Sequence, residues 1–156
     1  MKKSNNYVGI DISKLTFDVA IYNQDSKYKH HKFSNNEEGF NLLLELLTLE
    51  DICVMEASGV YYLKLATFLS DRGIAVSVIN PLVIRRFSQM RMSRAKTDKK
   101  DAMLIAEYGK TQQPDLWQPE ADYVLELKQM FAYLEQLNKN KSVFSVQNQT
   151  FKHNPV

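Results

Sequence analysis

Hydrophobic and polar positions along the chain change period several times, and each change marks an element. Tyr7–Asp11, Phe17–Tyr22 and Tyr28–Phe33 are short runs rich in β-branched and aromatic residues. They predict three successive strands, with Asn23-Gln24-Asp25-Ser26 turning between the second and third. Gly9, inside the first strand, lets something approach the backbone closely. The spacing then lengthens. Phe40, Leu43, Leu44 and Leu47 recur at i, i+3, i+4 and i+7, a helical stripe. Ser34, three residues before Glu37, has the arrangement of a capping box at its start. Ile52-Cys53-Val54-Met55 does not alternate at all, as befits a strand buried on both faces.

Beyond it, Tyr61–Arg72 is predicted to be a helix closing at Gly73, a residue suited to the left-handed position after a helix. Ile74–Ile79 repeats the buried-strand pattern and stops at Asn80-Pro81. Pro81 fits the first turn of a helix carrying Leu82, Val83, Ile84 and Phe87. Further helices are expected over Asp98–Lys110 and Glu120–Asn138, separated by a loop around Trp117. The order, β-β-β-α-β-α-β-α with further helix after it, puts three antiparallel strands ahead of strands that alternate with helices. By analogy it is that of a ribonuclease-H-like α/β fold, a mixed sheet flanked by helices. The expected organisation is a domain over residues 1–118, a helical extension over 119–138, and a polar, weakly ordered tail over 139–156.

Composition narrows the class. With 156 residues, 44% hydrophobic and 24% charged, the chain suits one ordinary soluble domain with a real core. No run is long enough to span a bilayer, and the polar start lacks a secretory h-region, so a cytoplasmic location and no membrane partner are expected. Cys53 is the single cysteine, which excludes an intrachain disulfide and reads as a small core residue. Three histidines and one cysteine do not build a closed zinc site, and His30 and His31, adjacent in a strand, point to opposite faces. The net charge of +2 hides an asymmetry. Arg85, Arg86, Arg91, Arg94, Lys96, Lys99 and Lys100 stand against one acid, Asp98, in the stretch 85–100, which is +6 and leaves −4 for the rest. Such a run is either a solvated helix face or the footprint of a polyanion.

The acids give the chemistry. Asp11 closes the first strand and Glu56 the strand after the first helix. In open α/β sheets ligands gather outside the carboxyl ends of parallel strands, where both would sit if these strands are neighbours. Asp98 and Asp101 are three apart, so one helix face can present both. Each has an ordinary alternative: Asp11 as a turn residue, Glu56 and Asp101 as helix-start acids, Asp98 as an N-cap. Two carboxylates at about 4 Å repel by roughly 4 kcal/mol at an effective dielectric near 20, so four meeting at one point would require cations or protons. Divalent ions with oxygen ligands satisfy that need, and a pair of them serves phosphoryl displacement.

Four segments taken together, Gly9-Ile10-Asp11-Ile12-Ser13-Lys14, Glu56-Ala57-Ser58-Gly59, Asn80-Pro81, and Lys96-Thr97-Asp98 with Asp101-Ala102, resemble the amino-terminal domain of the DEDD transposases. This is the Piv invertase and insertion-sequence 110 family, whose fold is similar to that of the RuvC Holliday-junction resolvase. The resemblance implies a catalytic acidic tetrad of Asp11, Glu56, Asp98 and Asp101 holding Mg²⁺, with Mn²⁺ as substitute, beside the DNA phosphate being exchanged. It also implies DNA as partner, a structured guide RNA in some members, a homo-oligomer in the full-length protein, and a bacterial, nucleoid-associated setting. The family's proposed serine nucleophile belongs to a carboxy-terminal domain, so the resemblance implies a fragment or truncated gene product, inactive alone. Ser13 and Ser58 are then turn and capping residues. The seven basic residues between 85 and 100 would draw nucleic-acid phosphates toward the site without reading sequence. A stand-alone junction resolvase and a non-catalytic nucleic-acid-binding module are the alternative readings.

Overall fold

The computed structural model describes residues 6–22, 28–91, 98–119, 127 and 130–141, without the side chains of Asp98 and Lys99. Its contacts divide the chain into two compact units, Met1–Gln118 and Pro119–Val156. The first contains the elements named below. In the second, residues 130–141 are helical, so this helix runs past Asn138, where the sequence pattern had ended it. The turn expected at Asn23–Ser26 and the tail from 142 onward lie outside the described residues.

Five strands, β1 (Asn6–Ile12), β2 (Thr16–Tyr22), β3 (Tyr28–Ser34), β4 (Asp51–Glu56) and β5 (Ala75–Ile79), form one sheet in the order β3-β2-β1-β4-β5. β1 pairs antiparallel with β2 and parallel with β4; β2–β3 is antiparallel and β4–β5 parallel. This is the mixed α/β sheet of a ribonuclease-H-like fold. Helices cover both faces, and the alternation of side chains along β1 shows how. Val8, Ile10 and Ile12 enter a core with Phe40 and Leu43 of α1 (Glu37–Leu44) and Leu65 and Leu69 of α2 (Tyr62–Ser70). On the other face, Ile52, Val54 and Ile79 pack with Ile84 of α3 (Pro81–Met90) and Ile105 of α4 (Asp98–Gln112). Cys53 and Met55 enter the first core and Ile52 and Val54 the second, hence the unalternating apolar run in β4.

Local chemistry departs from expectation at the start of α1. Ser34 is the last residue of β3, and Asn36 is the N-cap, its side chain accepting from Gly39 N at 3.0 Å. The strand continues one residue further than the pattern implied and takes Ser34 with it. The helix also ends early, at Leu44, so Leu47 packs against the core from the connection. Elsewhere the punctuation is as expected. Asn80 caps α3 through Leu82 N at 2.8 Å, ahead of Pro81. Gly73 follows α2 at φ 78°. After α4 the chain straps the open edge of β5: Trp117 N donates to Val76 O at 2.7 Å, and Ser77 Oγ donates to Asp115 O at 2.9 Å.

α4 lies very close against β1. A Cβ placed on Gly9 would lie 2.0 Å from the carbonyl oxygen of Ala102 and 2.4 Å from Ala106 N. Ala20, directly across from Gly9 on β2, is buried with the same two alanines. Gly109, further along α4, sits on Tyr7 and Val54. Small residues on the strands and on the helix thus let two backbones nearly touch, which fixes where the start of α4 falls.

Candidate active site

The four acids come from the ends of three elements. Asp11 is the penultimate residue of β1 and Glu56 the last of β4. The parallel register sets Ile10 opposite Met55, so Asp11 and Glu56 occupy the next rung, about 4.8 Å apart at the backbone. They follow Gly9 and Val54 by two residues and therefore share the face that α4 covers. α4 runs antiparallel to β1, since Gly109 overlies Tyr7 while Ala102 and Ala106 overlie Gly9. Its first turn, with Asp98 and Asp101, therefore continues toward Asp11. From Gly9 to Asp11 the strand advances about 6.6 Å, and four residues of helix advance about 6 Å, so the two keep step.

Asp11, Glu56 and Asp101 are each half-buried. The structure brings Asp11 and Glu56 side by side and directs the turn bearing Asp101 toward them; the side chain of Asp98 lies outside the described residues. Among the described residues, no three His, Cys, Asp or Glu side chains are gathered into a group that could hold a metal ion. The donor set itself, carboxylate oxygens alone from three elements, suits a hard divalent cation such as Mg²⁺ and does not suit a soft one. Neighbouring hydroxyls have local duties. Ser58 Oγ donates to Glu56 Oε1 at 2.8 Å, holding that carboxylate across the turn after β4. Ser13 closes the β1–β2 turn, its Oγ donating to Thr16 O at 2.7 Å.

The basic residues divide. Arg85 and Arg86 are exposed on α3, and Lys100 is exposed in the first turn of α4. Arg91 pairs with Glu107 and lies over the Phe87 ring, so it ties α3 to α4. Arg94, Lys96 and the side chain of Lys99 lie outside the described residues.

One acid was missed by sequence reasoning. Asp18 of β2 is directly across from Asp11, and its side chain is 7% exposed. Its Oδ1 is 2.7 Å from His30 Nε2 and its Oδ2 accepts from Lys32 Nζ at 3.1 Å. An ionised carboxylate only accepts, so the imidazole donates through Nε2. The available signal was alternation: Asp18 and Ala20 on β2, and His30 and Lys32 on β3, share one face once the strands are paired. His31 faces the other way and stacks on Phe33 at 5.9 Å. Partial burial, with Lys29 and His30 nearby, lowers its pKa below the usual histidine value.

The fold is a ribonuclease-H-like α/β sheet with Asp11 and Glu56 at neighbouring strand ends, and sequence comparison gives the family. A model of DEDD transposases of the IS110 type, described as Transposase, matches residues 8–151. The chain therefore belongs to the IS110-type DEDD transposase family. It is 35% identical over 149 residues to the pilin gene-inverting protein of Moraxella lacunata, and 36% over 149 residues to that of Moraxella bovis. Each alignment covers 89% of this chain and 46% of the relative, so the chain spans about half the length of these curated relatives. Among the described residues, no helix is long and apolar enough to cross a membrane.

Proposed function

We propose that this chain carries the catalytic carboxylates of a DNA recombinase that moves or inverts a DNA segment, as the name of the pilin gene-inverting relatives describes for them. The observation that carries this reading is the shared rung of Asp11 and Glu56, with the first turn of α4 directed toward it. Asp11, Glu56, Asp98 and Asp101 would hold Mg²⁺, or Mn²⁺ in its place. When bound, the metal supplies charge neutralisation and activation at the phosphodiester. The protein's own part is positioning. β1 and β4 fix two carboxylates on rigid strand ends, Ser58 orients Glu56, and the packing of α4 on Gly9 sets the depth at which Asp98 and Asp101 arrive. Arg85, Arg86 and Lys100 are exposed and suited to phosphates of a DNA backbone, with Arg94, Lys96 and Lys99 in the same stretch.

Metal-dependent strand cleavage and exchange, guidance by a structured RNA and assembly as a homo-oligomer belong to this reading. The test is calorimetric titration of Mn²⁺ into the wild-type chain, Asp11→Asn and Asp98→Asn, with circular dichroism as a check on folding. Binding by wild type and its loss in both folded variants is the expected outcome. Equal binding by all three removes the tetrad. A competition between duplex DNA and structured RNA for the same chain separates the RNA-guided variant from one acting on DNA alone.

A further inference from the structure

Register puts Glu56, Asp11, Asp18 and Lys32 in one row across β4, β1, β2 and β3, all on the face carrying α4. The row holds three carboxylates and then a cation. Asp18 is the most enclosed of these three carboxylates and stands beside Asp11, yet both of its oxygens are engaged on the side of β3, by His30 at 2.7 Å and Lys32 at 3.1 Å. Its carboxylate is therefore tied to β3, and the three groups form one unit.

β3 is the edge of the sheet, and lysines on edge strands usually guard them by standing in solvent. Lys32 is built differently. Its ammonium is fixed to a buried carboxylate while half of the side chain remains exposed, two strands from Asp11, or about 10 Å. A cation held at that distance from a phosphodiester site, on the same face and level, is placed for a neighbouring phosphate of the same backbone. We infer that Lys32, positioned by Asp18 and His30, is a phosphate-binding residue for the nucleic-acid strand entering the acidic site from the β3 edge. Asp18 and His30 are positioning residues: the carboxylate fixes the ammonium, and the imidazole satisfies its second oxygen so that the burial is tolerated. The site takes a backbone phosphate and reads no base.

This inference rests on the proposed function and is separable from it. Binding of the 156-residue chain to a 30-base-pair DNA duplex is measured by fluorescence anisotropy between about 50 and 300 mM KCl, for wild type, Lys32→Gln, Lys32→Arg and Asp18→Asn. Lys32→Gln should weaken binding roughly three- to tenfold and reduce the slope of log K against log salt by about 0.9, with no dependence on duplex sequence. Lys32→Arg should restore the slope, and Asp18→Asn should reduce it with Lys32 still present. Because Asp18 is buried, its variant is decisive only where circular dichroism shows it folded; Lys32→Gln, at a half-exposed position, decides alone. A folded Lys32→Gln chain with wild-type slope and affinity, even one that melts earlier, overturns this inference and leaves the tetrad standing. A wild-type chain that binds no duplex at any salt overturns both.

Discussion

Gly9→Ala isolates the contact on which the site's geometry depends. The added Cβ would lie 2.0 Å from Ala102 O, 2.4 Å from Ala106 N and 2.9 Å from Ala106 Cβ, where ordinary contact begins at 3.4 Å. The first two are backbone atoms of a helix, so no rotamer change relieves them, and α4 must lift by roughly 1 Å or more. Overpacking of this kind costs about 1–3 kcal/mol, and the upper end applies when a whole helix moves. At about 4 °C per kcal/mol for a unit of this size, the melting temperature should fall by about 12 °C. The same lift moves Asp98 and Asp101 away from Asp11 and Glu56. Metal–ligand distances tolerate only about 0.2 Å, so Mn²⁺ should raise the melting temperature of wild type and leave that of Gly9→Ala nearly unchanged.

Gly109→Ala is the matched control. Its Cβ would meet Val54 Cγ2 at 2.7 Å and Tyr7 Cδ1 at 2.8 Å, both side-chain rather than backbone atoms, at the opposite end of α4. It should cost less stability and keep the response to Mn²⁺. The assay is thermal unfolding followed by circular dichroism, with and without the metal. A Gly9→Ala chain melting within about 2 °C of wild type would refute the close approach. One that melts early yet gains as much from Mn²⁺ as wild type would refute the link between that approach and the metal site.

Asn80→Ala removes the side chain that caps α3 through Leu82 N and should cost about 1 kcal/mol, read as a fall in denaturation midpoint at constant slope. The lowered pKa of His31 has a definite consequence for acid stability. The unfolded chain takes up this proton near pH 6.5 and the folded chain only at lower pH, so stability is fully present above 6.5 and declines as pH falls through the interval between the two values. His31→Gln should flatten that part of the stability profile, and an unaltered profile would remove His31 as its source. Cys53 is wholly buried, and burial raises its thiol pKa far above the ordinary value. Iodoacetamide at pH 8 should therefore label it only after denaturant unfolds the chain, as mass spectrometry would show; rapid labelling of the native protein would contradict its place in the core.

The strands and helices were legible because their periods are clean, and Gly9 announced a close approach before its partner was known. The partner itself was not legible. Ala102 and Ala106 are ordinary residues of a helix until the sheet beneath them is known to carry Gly9 and Ala20. Asp11 and Glu56 could be placed at strand ends from local pattern, but their adjacency depends on β1 pairing with β4 across thirty-odd intervening residues, a long-range fact. The Ser34 cap failed because Asn36 competes two residues later and the β2–β3 ladder claims Ser34. Asp18 was overlooked for the same physical reason that it is tolerated. Its partners His30 and Lys32 lie on another strand, and only register turns three scattered polar residues into one cluster around a buried carboxylate.

The small residues and the acids are best understood as one device. Carboxylates on two adjacent strands repel, and the first turn of α4 brings two more, Asp98 and Asp101, on the same turn as Lys99 and Lys100. A sheet face lined with large side chains would hold such a helix about 10 Å away and let the charges relax apart. Gly9, Ala20, Ala102 and Ala106 remove that freedom by bringing α4 onto the backbone of β1, where its entry point is fixed by close contact. The apolar packing behind the site, Ile105 with Val54 and Ile84, contributes stability that offsets the repulsion in front. On the proposed function, a divalent cation would bind carboxylates whose spacing the fold already fixes. It follows that Asp11→Asn should abolish the rise in melting temperature with Mn²⁺ while the metal-free chain keeps its fold. A merely structural aspartate would give the reverse pair of curves, a lower melting temperature without the metal and an undiminished response to it.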